Sequence, residues 1–548
     1  MRKLTSLLLL ACAGLMAQAL SPTSLWPADV AAARREWRSD KFSSWSADES
    51  GTPVLKVEVP SSETDRTSIL GAFRKLDLRP YRGKDIQVTV ESRHVNLTVP
   101  SKSWLGFKLM LEYVGDAGVK VYPGGGNGVG TPRDTDWRTV SFSTRVHQSA
   151  EEGILHLGCQ DVTGTLWFRN LRIRVVELYP EVTPLPEGFR CEYSEAVRGF
   201  PVLRGVMSPG LSKGAKAEDL EELARWGANV IRWQVNLPKD AKTQMDVDAV
   251  REIFRQHLKN LDVHLPLLRK AGIHVIFDFH GVPGGRVRAS KVAGTAGTLA
   301  GNVDIPGNHF WMFHDRKYLD AFVELWRMVA EHYKDEPIVF GYDLYNEPVQ
   351  STEVAFDYLY CQYEAAKAIR AIDPEKPIFI AANQWSSPDA FKYLRPLPLR
   401  NLIYQGHMYM PGSYTHQGVG GDSMKRLKEN PALLKGYPGV FDGRRYDKET
   451  LRACLKPIRD FQLTYGARIY IGEFSAIRFA PGACQYLADL TSIFEEYGWD
   501  WSYHAFREWF NWSVEYDSDI HHEKPATTDT DRKRLLLELF RKNEKRTY

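Results

Sequence analysis

The chain is poor in cysteine: 548 residues carry 6. Cys12 lies in an apolar leader, which leaves Cys159, Cys191, Cys361, Cys454 and Cys484. That is an odd number, and no two of them stand in a Cys-x-x-Cys pair. The spacing excludes a disulfide scaffold and a zinc ribbon. Buried, unreactive thiols are the expectation, with a single bridge as the alternative. An excess of charge is also missing, since 71 Lys and Arg stand against 68 Asp and Glu for a net +3. A nucleic-acid binder needs a strong basic footprint, so that class is excluded. Past the leader there is no run of 18 apolar residues, and no membrane span is expected. Metal-ligand spacing is lacking too. His309 and His314 lie among aromatics, His521 and His522 are adjacent, and neither pair resembles a His-Glu-x-x-His or facial-triad arrangement. No metal or other cofactor is expected. The glycine-rich run 124–130 lacks Gly-x-Gly-x-x-Gly spacing and has no helix pattern after it, so it is a loop and not a phosphate cradle.

Aromatics, in contrast, are plentiful at 12%, with 15 Trp and 25 Tyr. Such a composition suits flat faces that stack on sugars or bases. The apolar fraction of 43% and charged fraction of 25% are those of a globular chain, and the length predicts two to four domains at about 150 residues each. Arg2 and Lys3 precede an apolar run from Leu7 to Met16, and Ala17 and Ala19 supply small residues for cleavage. Residues 1–19 therefore read as a signal peptide, which implies a secreted or periplasmic protein.

Residues 25–179 alternate apolar and polar in short runs, as in Val54–Val59, Asp85–Glu91, Gly106–Tyr113, Arg138–Ser143, Ile154–Gly158 and Thr165–Val175. Period-two alternation broken by turn residues predicts an all-β antiparallel sandwich. The text resembles the jelly-roll carbohydrate-binding modules of secreted glycosidases. That resemblance implies sugar stacking by Trp104, Tyr113, Tyr122 or Trp137, and the alternative is a purely structural sandwich whose aromatics fill its core. Residues 180–189 are proline-rich and read as a stiff linker.

From residue 190 to 548 the pattern changes to strand, then helix, repeatedly. Near-continuous apolar runs at 202–207, 229–235, 273–280, 338–345, 378–382, 402–409, 468–472 and 499–504 are separated by amphipathic helix patterns. Such runs fit a parallel sheet buried on both faces, and that many strand–helix units predict a (β/α)₈ TIM barrel. The fold class is α/β, with the barrel preceded by the sandwich.

Polar residues collect at the C-terminal ends of these strands: Arg232, His280, Asn346 and Glu347, His407 with Tyr409, and Glu473. In a barrel those ends share the face on which active sites form. Glu347 and Glu473 fall on the fourth and seventh strands, nearly opposite across the barrel mouth. Two carboxylates flanking one bond are what glycoside hydrolysis requires, one protonated to expel the leaving oxygen and one ionised.

The run Leu344-Tyr345-Asn346-Glu347-Pro348 resembles the Asn-Glu-Pro signature of glycoside hydrolase family 5, the cellulase and mannanase family. Ile471-Gly472-Glu473-Phe474 resembles its nucleophile strand. Arg232, His280 and the His407-x-Tyr409 pair match the family's polar positions after the second, third and sixth strands. The resemblance covers about residues 190–545 and implies a retaining mechanism. Glu473 is then the nucleophile and Glu347 the acid and base. Arg232 and Tyr409 hold Glu473, Asn346 binds the sugar 2-hydroxyl, and His280 and His407 bind sugar hydroxyls or tune Glu347. One departure stands out. The family places a Trp platform just after the eighth strand, where this chain has His504. Trp509 is then expected to supply the platform from the following loop, with Trp512 as the alternative. The long connections 281–312 and 410–447 are expected to wall the cleft with Phe310, Trp311, Phe313, Tyr414, Tyr437 and Phe441. The implied activity is an endo-β-1,4-glucanase acting as a monomer on a carbohydrate substrate. A β-mannanase, an exo-acting β-glucosidase and an inactive sugar-binding barrel remain the alternatives.

Overall fold

The structure is a computed structural model that describes residues 22–65, 67–101, 105–115, 118, 120–125, 133–177, 180–208, 216–238, 240–286, 310–350, 353–419, 421–544 and 546. The expected signal peptide, Trp104 and most of the connection 281–312 lie outside the described residues. The chain divides into two compact units, the first running to Pro180 and also taking in Gln350–Asp357, the second holding most of the residues from Glu181 on.

The first unit is built from two antiparallel sheets. One has the strand order Thr135–Arg145, Asp85–Val95, Gly164–Val176, Pro53–Val59, Ser43–Ala47, and the other Arg38–Ser39, Leu70–Asp77, Glu152–Gln160, Gly106–Val114, Lys120–Val121. From Pro53–Val59 onward the chain switches sheet at each long strand, as in a jelly roll. Alternation turns Leu55, Val57, Val88, Val90, Leu109, Leu111, Leu155, Leu157, Leu166 and Phe168 into one core shared by both sheets. Of the aromatics expected to stack on sugars, Tyr113 is part of that core. Trp137 is half-buried, and the guanidinium groups of Arg93 and Arg169 lie over it, 5.5 and 4.2 Å from the ring centre. Tyr122 is exposed.

The second unit is a closed barrel of parallel strands in sequence order: β1 (Arg204–Met207), β2 (Val230–Val235), β3 (His274–Phe279), β4 (Val339–Asp343), β5 (Ile378–Ala381), β6 (Leu402–Met408), β7 (Arg468–Phe474) and β8 (Asp500–His504). Each falls within or overlaps an apolar run read from the sequence. Three of the longer helices between them start where an aspartate side chain caps free N–H groups: Asp246 before Val247–Asp262, Asp315 before Arg316–Tyr333 and Asp447 before Lys448–Tyr465. Gly227, at φ +90°, ends the helix Ala217–Trp226 in a conformation that costs other residues strain. Leu203, Val230, Ile276, Phe340, Phe379, Ile403 and Tyr470 fill the N-terminal end of the barrel, and Phe200 packs against them.

The barrel is clasped at that end by Arg468. Its Nε and Nη2 donate to the two oxygens of Asp500 at 2.6 and 2.9 Å, and Nη1 donates to the Val197 carbonyl at 2.7 Å. Asp500 Oδ1 also accepts the Leu203 N–H at 2.8 Å. These bonds tie β7 and β8 to the segment entering β1, where the barrel closes. Replacing Arg468 by Ala strands a carboxylate that is only 1% exposed. The expected cost is roughly 3–5 kcal/mol, read as a lowered denaturant midpoint for the barrel. An unchanged midpoint would show that closure does not depend on the pair.

Candidate active site

The site begins inside the barrel with a guanidinium. Alternation on β2 turns Arg232 into the lumen, where it is fully buried. Its Nε donates to Asp343 Oδ2 at 2.8 Å, Nη1 to Glu473 Oε1 at 2.8 Å, and Nη2 to Asn346 Oδ1 at 2.9 Å and Asp278 Oδ1 at 3.1 Å. The flat fork thereby ties together β2, β3, β4, β7 and the segment after β4.

These bonds settle proton positions further out. Because Asn346 Oδ1 accepts from Arg232, its Nδ2 is the atom that faces His280 Nε2 at 3.2 Å, and it donates there. His280 Nε2 is therefore the bare nitrogen, and Nδ1–H donates to Asp278 Oδ2 at 3.0 Å. Both nitrogens of His280 are occupied within the protein. In this arrangement His280 fixes Asn346. One hydrogen of Asn346 Nδ2 is left to face a substrate.

The two glutamates are held differently. Glu473 is 4% exposed and receives Arg232 on Oε1 and the Tyr409 hydroxyl on Oε2 at 2.9 Å. Burial opposes its ionisation, but the charges of His407, His504 and Arg232 prevail and hold its carboxyl well below the usual carboxylate range. Burial and the Glu473 charge push the Tyr409 phenol far up, so it stays protonated and donates. Glu347 lies in the segment after β4 with φ +51°, a left-handed conformation costing a non-glycine residue roughly 1–3 kcal/mol. That backbone aims its side chain at His407 Nδ1, 3.1 Å away. Ligand-type atoms of Glu347, His407 and Glu473 all lie within 4.8 Å of one another. Among the described residues this is the cluster with the right atoms for a cation. Arg232 and Tyr409 already engage both oxygens of Glu473, however, so the arrangement suits a pair of reacting carboxylates better than a ligand set.

The structure thus brings Arg232, His280, Asn346, Glu347, His407, Tyr409 and Glu473 together. It corrects the reading of the aromatics. Trp509 touches Phe510 and Trp512, whereas Trp512 is the ring that packs on Tyr409, His504 and His416, with centroids 6.2, 5.6 and 5.1 Å away. Tyr437, Phe441 and Tyr486 are buried around Tyr414, itself buried, and Phe310 and Phe313 pack on Tyr345. They are packing residues and offer no stacking face.

Sequence reasoning missed Asp278, Asp343, Gln405 and Trp385. The first and third stand two residues before His280 and His407, and period-two alternation sends such pairs to the same side. Burial lifts Asp343 to about 6, against the pull of Arg232 and with the push of Asp278. Gln405 Nε2 donates to Asp343 Oδ1. Trp385 follows β5, is 44% exposed, and its backbone N–H donates to the Pro348 carbonyl at 3.1 Å, next to Glu347. No periodicity marks it, because it sits in a turn.

The profile of the family Cellulase (glycosyl hydrolase family 5) matches residues 196–518. The chain belongs to glycosyl hydrolase family 5. As a family 5 member it hydrolyses O-glycosyl bonds by a retaining route. It is similar to endoglucanase C of Acetivibrio thermocellus, with 27% identity over 310 residues that span 52% of this chain and 83% of the relative. Cellodextrinase A of Ruminococcus flavefaciens is 23% identical over 296 residues, 53% of this chain and 77% of that one. A solved glycoside hydrolase structure aligns at 20% identity with a TM-score of 0.46, covering 62% of this chain and 99% of the other.

For this family 5 barrel, Arg232→Lys keeps one charge but cannot reach four acceptors. The expected loss in kcat/KM is about 10²–10³-fold. Because Arg232 helps keep Glu473 ionised, the acid limb of the pH–rate profile moves to higher pH. A variant with an unmoved acid limb would contradict the role given to the guanidinium.

Proposed function

We propose that this family 5 enzyme is an exported endo-β-1,4-glucanase in which Glu473 is the nucleophile and Glu347 the acid and base. The observation that carries the catalytic assignment is the unequal treatment of two close carboxylates. Retaining enzymes hold theirs about 5–5.5 Å apart, and inverting enzymes leave room for a water at about 6.5–9.5 Å. A separation within 4.8 Å between oxygens of Glu347 and Glu473 supports the first. The attacking group must be ionised, and Glu473 has the cations. Glu347 carries the proton to the leaving oxygen, then takes one from water. His407 orients Glu347, and the free hydrogen of Asn346 meets the sugar 2-hydroxyl.

The substrate reading rests on the relatives named endoglucanase and cellodextrinase. Trp385, exposed beside the loop of Glu347, is proposed as a stacking face on the leaving-group side. Residues 1–19 are proposed as the export signal, 25–179 as a carbohydrate-binding-like sandwich, 180–189 as the linker and 190–548 as the catalytic domain.

Purified residues 20–548 should release reducing sugar from carboxymethyl-cellulose and mixed-linkage glucan. Glu347→Ala should lower the rate by about 10²–10⁴-fold, and Glu473→Ala should lower it further. Release from galactomannan but not from cellulose would replace the glucanase reading with the mannanase one. Undiminished release by either variant would remove that glutamate from the mechanism.

A further inference from the structure

Beyond Tyr409, a chain of hydrogen bonds continues away from the site. The Tyr409 hydroxyl oxygen lies 2.9 Å from Glu473 Oε2 and 2.6 Å from His504 Nδ1, and His504 Nε2 lies 2.6 Å from Glu508 Oε2. We infer that His504 and Glu508 are positioning residues for the nucleophile: together they keep the single hydroxyl hydrogen of Tyr409 on Glu473. The inference rests on the assignment of Glu473 as nucleophile.

A phenol has one hydrogen to give, and two groups stand within reach of it. If His504 were neutral with its hydrogen on Nε2, facing Glu508, then Nδ1 would be a bare acceptor competing with Glu473 for that hydrogen. If the hydrogen were on Nδ1, the bare Nε2 would face a carboxylate oxygen, lone pair against lone pair. Only the imidazolium gives every contact a hydrogen: Nε2–H donates to Glu508, Nδ1–H donates to the phenol oxygen, and the phenol O–H is left to Glu473.

The surroundings agree. His504 Nδ1 is 3.9 Å from Glu473 Oε2. The groups facing His504 are Glu508 and Trp512 from its own following loop, Tyr409 beyond β6, Glu473 from β7, Glu347 from the segment after β4, and His416 from the segment after β6. Burial opposes charge on His504, but Glu508 and Glu473 override it and raise its pKa. His416, in contrast, is pushed down by burial and remains the neutral ring of the cluster. The last residue of β8 is here a cation acting through a phenol, near the place where the family resemblance implies an aromatic platform.

The consequence falls on the second half of the reaction. When the glycosyl-enzyme breaks down, the bond between the Glu473 oxygen and the anomeric carbon breaks and its electron pair returns to the carboxylate. The water oxygen bonds to that carbon, and its proton passes to Glu347. The returning charge meets Arg232 on one side and the Tyr409–His504 chain on the other. Loss of the proton from His504 removes a cation and frees Tyr409 to turn away.

The test uses the full mature chain and 2,4-dinitrophenyl β-cellobioside, whose leaving group needs no proton. Bond breakage is then fast, an initial burst of dinitrophenolate marks the covalent intermediate, and kcat reads its breakdown. In that step Glu347 acts as a base and not as an acid, which leaves the alkaline limb of kcat to His504. Glu508→Gln should move the alkaline limb down by about one pH unit or more, leaving kcat about fivefold or more below wild type one unit above the shifted limb. His504→Gln, which offers an N–H that does not titrate, should abolish that limb. Imidazole ¹⁵N resonances of the wild type should show both His504 nitrogens protonated at neutral pH, a readout independent of turnover. An alkaline limb that stays in place in Glu508→Gln, a loss that is uniform at every pH, or a neutral His504 in the wild-type spectrum would overturn the inference. Absence of a burst with an intact imidazolium spectrum would instead count against Glu473 as nucleophile.

Discussion

The barrel mouth is organised around one buried cation. Arg232 has no contact with solvent, yet it touches Asp278, Asp343, Asn346 and Glu473. A guanidinium in that position is tolerated only when its donors are met by carboxylates and amide oxygens. Those carboxylates, in turn, are tolerated in the lumen only because the cation is there. The arrangement fixes more than charge. The orientation of Asn346 follows from Arg232, the tautomer of His280 follows from Asn346, and the ionised state of Glu473 follows in part from the same fork. Substrate chemistry is thereby prepared before a substrate arrives, by groups that have no freedom to reorganise.

Around that centre the two proposed catalytic carboxylates are separated by environment and not by distance. Glu473 is drawn into the cationic half of the mouth, between Arg232 and the Tyr409–His504–Glu508 chain. Glu347 is held at the rim by a strained backbone and by His407. At the opposite end the barrel is held closed by the Arg468–Asp500 clasp and the apolar cluster around Phe340 and Phe379. Stability is concentrated at one end of the barrel and chemistry at the other, as is general for this architecture.

The strands of the barrel were legible because each is a run of apolar residues bounded by turn chemistry. Polar residues at their C-terminal ends then stood out against apolar bodies. Glu347, Glu473, Arg232 and Tyr409 were found that way. Asp278, Asp343 and Gln405 were not, because they lie one alternation step deeper and look like isolated polar residues within strands. Their partner across the lumen is visible only once the sheet has closed. The aromatic readings failed for a related reason. Tyr414, Tyr437 and Phe441 fall in a long connection that reads as a surface loop, but the connection folds into short helices and a hairpin and turns them inward. Trp385 escaped notice because a turn residue has no period to betray its side. His504 was noticed as an anomaly, but its meaning depends on Glu508 and Tyr409, which nothing in the linear order pairs with it.

The central claim is that the ionised carboxylate of Glu473 makes the covalent bond. Incubating the enzyme with 2,4-dinitrophenyl 2-deoxy-2-fluoro-β-cellobioside slows breakdown of any such intermediate and leaves the sugar attached. Peptide mapping by mass spectrometry should then find the fluorosugar on the segment that contains Glu473. A label on the segment containing Glu347, or an active enzyme that takes up no label, would contradict the account.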